Sequence, residues 1–346
     1  MPETTDMYRR TLMQVAVGAP LLLAAAAVAH KAEARPAAAG PAARNTFVKH
    51  GYEEHSVNLG EVTMNYVTAG SASKPALLLI PGQTESWWAY EKAIGLLAPD
   101  FQVFCVDLRG QGRTTWTPGR YTYDNMGGDL VRFISLVIQR PTITSGCSSG
   151  GVLSCWLSAF AMPGQIRASH YEDPPLFASE FNPLYGQSIR QAAGPLFEGL
   201  SRYLGDQWSV GDWAGLVAAR ARQLGSFARG AGKSTEPPQN LKEYDPEWAR
   251  AFYEGTVGQS CPHQHMLAQV KVPVLVTHHF RSIDHATGHL IGAISDFQMA
   301  KVRELIAATG QPLEYVDLPT AAHTMHEADP VLFAKVLGGW AKGLKA

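Results

Sequence analysis

Residues 144–156 read TSGCSSGGVLSCW, and within them Gly146-Cys147-Ser148-Ser149-Gly150 has the form G-x-S-x-G. That pattern does chemistry in one setting, a sharp turn from a strand into a helix. There the central serine takes strained backbone angles, and side chains two positions before and after it would collide. TITS reads as the strand and GGVLSCWL as the helix, which makes Ser148 the candidate nucleophile. Ser149 has a different use, because the residue after the nucleophile offers its backbone N–H to an oxyanion. A second donor is expected at Gln83, on the loop PGQTESWW, where Pro81-Gly82 shapes the turn.

A serine hydroxyl needs a general base, and in a strand-turn-helix fold of this kind the chain order is serine, acid, histidine, with the histidine on the loop after the last strand. The segment PLEYVDLPTAAHTMHEADPVLFAKVL supplies His323, well clear of the final helix, which opens at Pro330. His326 lies nearer that helix and reads as a surface or supporting residue. For the acid, HYEDPP offers Glu172 and Asp173 at the end of the strand after the nucleophile helix, and FRSIDHATG offers Asp284. Of two tandem acids at a strand end, one is expected to face solvent. The order of preference is Glu172, Asp173, Asp284.

Other chemistries fit less well. Cys261-Pro-His263-Gln-His265 lacks a third well-spaced ligand cluster, so no metal and no cofactor is expected. Gly110-x-Gly112 lacks the third glycine and the helix of a nucleotide loop, and Asp107 and Arg109 around it read as structural. His278 and His279 sit at a strand end, where backbone groups can satisfy them. Cys105, Cys147, Cys155 and Cys261 are too few and too irregularly spaced for a disulfide framework and read as buried thiols.

These residues need a scaffold, and the sequence supplies one. VNLGEVTMNYVTAG reads as a hairpin turning at Gly60, and PALLLIPG, FQVFCVDLRG, PTITSG and IRASHYEDPP read as strands. Helical spacing appears in SWWAYEKAIGLLAPD, DNMGGDLVRFISLVIQ and GGVLSCWLSAFA. Such alternation argues for an α/β fold, a mostly parallel sheet with helices on both faces. It breaks over residues 175–270, which hold Trp208, Trp213 and Trp248 among short helical patterns. It then resumes with VKVPVLVTHH, MAKVRELIAATG, PLEYVDL and DPVLFAKVLGGWAKGL. The expected organisation is therefore a core from 46–174 and 271–346, with a helical cap at 175–270 inserted over the carboxyl ends of the strands.

The 346 residues carry 29 Lys and Arg against 30 Asp and Glu, which leaves no field to gather nucleic acid or an anionic membrane. Residues 1–45 differ from the rest: Arg9-Arg10, an apolar run from Thr11 to Ala29, and an Ala/Pro-rich stretch. This resembles a twin-arginine export signal, and Gln14, Gly18 and Pro20 argue against a stable membrane span. Export to the periplasm or medium is the expectation, a cytoplasmic location the alternative. The expected partner is an apolar small-molecule ester or lactone, and a homodimer is compatible with the sequence.

From residue 46 to 343 the chain resembles the α/β-hydrolase superfamily, and within it the zearalenone hydrolases, lactonases that open a fungal macrocycle. The resemblance rests on IPGQTESWW, DLRGQGRTTWTP, GCSSGG, MPGQIRASHYEDPPLFASE, LGDQWSVGDW, KEYDPEWARAFYEGTV and THHFRSID. It implies a glutamate 24 positions past the serine as the acid, which is Glu172 here, and a substrate contact from the tryptophan of a W-A-R-x-aromatic segment, which is Trp248 in Trp248-Ala249-Arg250-Ala251-Phe252, alongside Gly82. It further implies attack of Ser148 on a lactone carbonyl, an acyl-enzyme, and spontaneous decarboxylation of the released resorcylic acid. The rival readings are a general carboxylesterase, a carbon–carbon bond hydrolase with the same triad, and a ligand receptor with negligible turnover. Dehalogenases and epoxide hydrolases of this fold use a carboxylate nucleophile where this chain has serine.

Overall fold

The apolar runs that read as strands form one sheet in the computed structural model, which describes residues 50–204, 212–224 and 237–344. The export-signal expectation and Trp208 lie outside the described residues. Among those described, no helix is long and apolar enough to cross a membrane. In chain order the elements begin with β1 (Glu54–Asn58), β2 (Thr63–Ala69), β3 (Ala76–Ile80), α1 (Glu91–Leu97), β4 (Gln102–Val106) and α2 (Tyr123–Phe133). β5 (Thr142–Cys147), α3 (Ser149–Phe160) and β6 (Ile166–Glu172) follow. Eight strands lie in the order β1-β2-β4-β3-β5-β6-β7-β10, where β7 is Val274–His278 and β10 is Leu313–Asp317. β1 and β2 pair antiparallel, as do β2 and β4, and the other neighbours are parallel.

β3, β5 and β7 are buried along their whole length. That is the physical reason they read as continuous apolar runs rather than alternating ones: helices cover both faces. The period of two then sorts the side chains. Leu78 and Ile80 pack with Leu130, Phe133 and Val152 from α2 and α3, whereas Leu77 and Leu79 pack with Ile94 of α1 and with Phe333 and Leu337 of α11 (Pro330–Lys342).

Between β6 and β7 the described residues form helices only: α4 (Gly194–Tyr203), α5 (Trp213–Leu224), α6 (Gln239–Lys242), α7 (Pro246–Glu254) and α8 (His263–Leu267), with two short 3-10 turns. After β7 comes a small hairpin that the sequence did not announce, β8 (Arg281–Ile283) and β9 (Leu290–Gly292), followed by α9 (Asp296–Ala308). Each hairpin strand is only three residues long, too short for a periodic signal. A one-turn helix, α10 (Met325–Ala328), precedes α11.

Candidate active site

Ser148 sits between β5 and α3 with φ 54° and ψ −122°, a conformation that a side-chain-bearing residue adopts only when its surroundings enforce it. The glycines around it are required by contact. A Cβ on Gly146 would lie 2.1 Å from the Gly150 carbonyl oxygen, and one on Gly150 would lie 2.3 Å from that of Ile80. The turn therefore packs backbone against backbone, and Ser148 N–H is fixed to Glu172 O on the neighbouring strand at 2.9 Å. Ser149 is the first residue of α3, where N–H groups have no partner within the helix, while its hydroxyl is buried without a hydrogen bond.

His323 is on the loop after β10, as expected, and its Nδ1–H donates to Asp173 Oδ2 at 2.6 Å. This corrects the preference for Glu172: that carboxylate is taken by the other histidine. Glu172 Oε1 accepts the backbone N–H of His326 at 3.0 Å, and its oxygens face His326 Nδ1 at 3.0 and 3.1 Å. Neither tandem acid faces solvent, because each has its own imidazole, and both are buried. His326 is likewise no surface residue; it is fully buried and stacks on Tyr90 with ring centroids 3.7 Å apart. Asp284 is remote in role: its Oδ1 accepts N–H groups of Ala286 and Thr287 and closes the turn between β8 and β9.

The divergence of the two acids has a local cause. Glu172 ends β6 in extended backbone, whereas Asp173 has φ 43°, its N–H donating to Thr277 O on β7 at 2.9 Å. The turn swings the Asp173 side chain toward His279, whose backbone N–H donates to Asp173 Oδ1 at 3.1 Å. His279 also holds the histidine loop. Its Nδ1 faces only carbonyl oxygens, those of Ala322 (2.8 Å) and His323 (3.1 Å), so Nδ1 carries the proton. Nε2 then accepts from the Thr277 hydroxyl, which accepts from His170 Nε2–H, and His170 Nδ1 accepts from Ser145. Burial pushes the His170 pKa down to about 4, which keeps that ring neutral. A directed chain of hydrogen bonds thus crosses three strands and ends on the His323 loop. The sequence suggested backbone partners for His278 and His279, and both have them, His278 through Ile294 O.

The protein atoms packed around His323 disfavour its cation, but the hydrogen bond and charge of Asp173 outweigh them and raise its pKa above the usual histidine value. Glu172 is held at about 2, against the opposing effect of burial, by the charge and hydrogen bond of His326. The same pairing raises His326. A lowered carboxylate stabilises the fold above its unfolded value and loses that contribution as pH falls through the folded one. A raised histidine contributes fully below its unfolded value and loses it as pH rises through the folded one. The pair therefore contributes most between pH 4.5 and 6.5, the two ordinary values. Glu172→Gln is expected to cost about 3–5 kcal/mol near pH 6, the scale of a broken buried ion pair. Urea unfolding across pH checks this: the gap to the wild type should shrink on acidification from 4.5 toward 2.

On the opposite side of Ser148, Gly82 leads the loop after β3. A Cβ there would lie 3.2 Å from Ser148 Cβ and 2.9 Å from Glu85 Oε2, so a side chain would fill the space beside Ser148. Gln111 Nε2 donates to Gly82 O at 2.6 Å, and no peptide bond in the described chain is cis. In a trans peptide the N–H of Gln83 then points away from Gln111. Gln83 is further fixed by donation from its Nε2 to Tyr244 OH (2.7 Å) and Trp248 O (3.3 Å). Gln111 was not singled out in the sequence; its glycine-rich setting, GQG, drew attention to the glycines instead. Asp107 and Arg109 are structural, as read: Asp107 accepts from Trp87 N–H and Asn65, and Arg109 pairs with Asp129 through two hydrogen bonds.

Ser148, His323, Gly82 and Gln83 share a cavity of about 380 Å³ with mainly apolar walls, among them Ile189, Leu196, Phe197 and Phe252 from the helical insertion. Trp248 does not line it. Its ring is fully buried between Tyr121 and Tyr244, and it is Phe252, one helical turn on in α7, that reaches the cavity. Cys261, His263 and His265, disfavoured as a metal site in the sequence, are not among the described residues whose ligand atoms cluster within 4.8 Å of one another. Among the described residues Cys147, Glu172 and His326 bring such atoms within 4.8 Å of one another, but all are engaged: Glu172 by His326, and Cys147 Sγ by His323 O at 3.6 Å. All four cysteines are free and buried.

Comparison with known proteins agrees with this architecture. The chain is 30% identical over 99 residues to 3-oxoadipate enol-lactonase 2 of Acinetobacter baylyi, covering 28% of this chain and 37% of that one. It is 27% identical over 202 residues to bifunctional epoxide hydrolase 2 of Sus scrofa, covering 53% of this chain and 36% of that one. The matched segments thus span little more than a third of these relatives. The solved enol-lactonase from Burkholderia xenovorans superposes with a TM-score of 0.57 at 14% identity, over 83% of this chain and all of that one, a likeness of fold. The model of the alpha/beta hydrolase fold family matches residues 75–265, more than half of the chain, and the chain belongs to that family of hydrolases.

Proposed function

We propose that the chain is a serine hydrolase that opens the ester of a macrocyclic lactone of the zearalenone type through an acyl-enzyme on Ser148. The observation that carries this reading is a strained serine and a carboxylate-held histidine that open onto one apolar cavity walled by the helical insertion. His323, oriented by Asp173, takes the Ser148 proton as the hydroxyl attacks the carbonyl carbon. The N–H groups of Gln83 and Ser149 receive the developing oxyanion. His323 returns the proton to the ring oxygen, the alcohol leaves while still tethered to the acyl group, and water activated by the same histidine releases the acid.

The substrate class rests on the resemblance of the insertion to zearalenone hydrolases and on the cavity: its walls suit a neutral, apolar macrocycle, and its volume is in the range of small-molecule sites. Incubation of the purified chain with zearalenone, followed by mass measurement, is expected to show addition of one water and then loss of carbon dioxide. Unchanged lactone together with rapid turnover of simple aryl esters would remove the macrolactone and leave a general carboxylesterase.

A further inference from the structure

Besides His323, the cavity contains one other ionisable lining residue among the described ones, Glu85. Its position is odd for an apolar site. The carboxylate stands on the loop that carries Gln83, and a Cβ on Gly82 would lie 2.9 Å from its Oε2 and 3.2 Å from Ser148 Cβ. Oε2 accepts the Gly82 N–H at 2.5 Å. Oε1 faces His326 Nε2 at 3.6 Å, beyond hydrogen-bond reach, and about a tenth of the side chain stays accessible. A carboxylate in such a wall is costly unless paired. The charge of His326, itself held by Glu172, offsets part of that cost, though burial still raises the Glu85 pKa above the usual carboxylate value, and the fold builds a line of acid, imidazole and acid that ends in the cavity. Nothing in the acyl-transfer steps uses this terminus, and an anion beside the oxyanion loop does not help them.

We propose that Glu85 selects the substrate: its Oε1 accepts a hydrogen bond from an O–H or N–H carried close to the scissile carbonyl, and its charge rejects substrates that bring a carboxylate to that place. The inference rests on the serine-hydrolase reading and adds a polar requirement to it. A neutral ester with a nearby hydroxyl satisfies the open oxygen, and a plain ester leaves it with water or with nothing. An ester of a dicarboxylic acid places like charges together in a site of low dielectric, which costs far more than in water.

Three aryl esters with the same chromophoric leaving group test it: p-nitrophenyl butyrate, its β-hydroxybutyrate analogue, and the p-nitrophenyl half-ester of succinate, assayed at pH about 8 so that carboxylates are ionised. In the wild type the hydroxy ester is expected to exceed butyrate in kcat/KM by about tenfold, and the succinate half-ester to fall about a hundredfold below it. Glu85→Gln keeps the size and a carbonyl acceptor, so it should retain the hydroxy preference and recover the succinate ester. Glu85→Leu should lose both discriminations. Melting temperatures are measured for each variant, and Glu85→Gln carries the charge test even if the leucine variant does not fold. Ratios unchanged by Glu85→Gln would overturn the charge role while leaving the hydrolase reading intact. Absence of turnover of all three esters by the wild type would overturn the selection role, and absence of zearalenone turnover as well would overturn both.

Discussion

Ser148→Ala is expected to lower kcat by about a million-fold, the scale seen when a serine nucleophile is removed from a working triad and corresponding to about 8 kcal/mol of barrier. Ser149→Ala, one residue along, should leave turnover close to that of the wild type. The contrast follows from geometry rather than residue type. Ser148 stands at the tip of the turn with φ 54° and lines the cavity. The Ser149 hydroxyl is fully buried and has no hydrogen-bond partner, so its deletion removes a desolvated group and breaks no hydrogen bond. Its backbone N–H remains in alanine. Steady-state assays give the rates, and a fluorophosphonate that labels Ser149→Ala but not Ser148→Ala fixes the site of acylation. Comparable losses from both substitutions would mean that the turn, rather than one hydroxyl, was being measured.

The parts of the site visible in the sequence are those whose signal is local. Gly146 and Gly150 frame the serine because backbone atoms approach within a Cβ's reach, and that constraint writes itself into adjacent positions. His323 was identifiable because loop position after the last strand is a matter of chain order. The carboxylate that His323 faces was not, because Glu172 and Asp173 differ only in where a single turn sends them. That turn is set from outside the segment, by Thr277 O on β7 and the His279 N–H just past its end, more than a hundred residues away. The spacing of 24 carried over from the resemblance put the acid at Glu172, whose carboxylate faces His326 rather than His323. Trp248 was misread for a related reason: a helical insertion was legible, but which apolar residue of α7 faces the cavity depends on the packing of Tyr121 and Tyr244, and Phe252 is the one that does.

Asp173→Asn is expected to lower kcat by about a thousand- to ten-thousand-fold, with the fold retained. Asparagine keeps the shape but not the charge, and it offers an N–H where His323 Nδ1–H needs an acceptor; the ring then prefers the wrong tautomer for taking the serine proton. The pH profile adds a signature that a merely damaged fold would not give. His323 must be neutral to act as base, so kcat/KM rises with pH through its pKa, which Asp173 raises by hydrogen bond and charge. Removing that charge lowers the pKa, so the residual activity of Asp173→Asn should have its acid limb at lower pH than the wild type. Glu172→Gln should do the reverse in kind: stability falls, and at a temperature where the variant is folded kcat stays within about tenfold, because His323 retains its own partner. Asp284→Asn should change neither, since that side chain closes a surface hairpin. Loss of thousands-fold activity in folded Glu172→Gln, with Asp173→Asn active, would reassign the acid to the end of β6 and require His323 to rotate toward it on binding substrate.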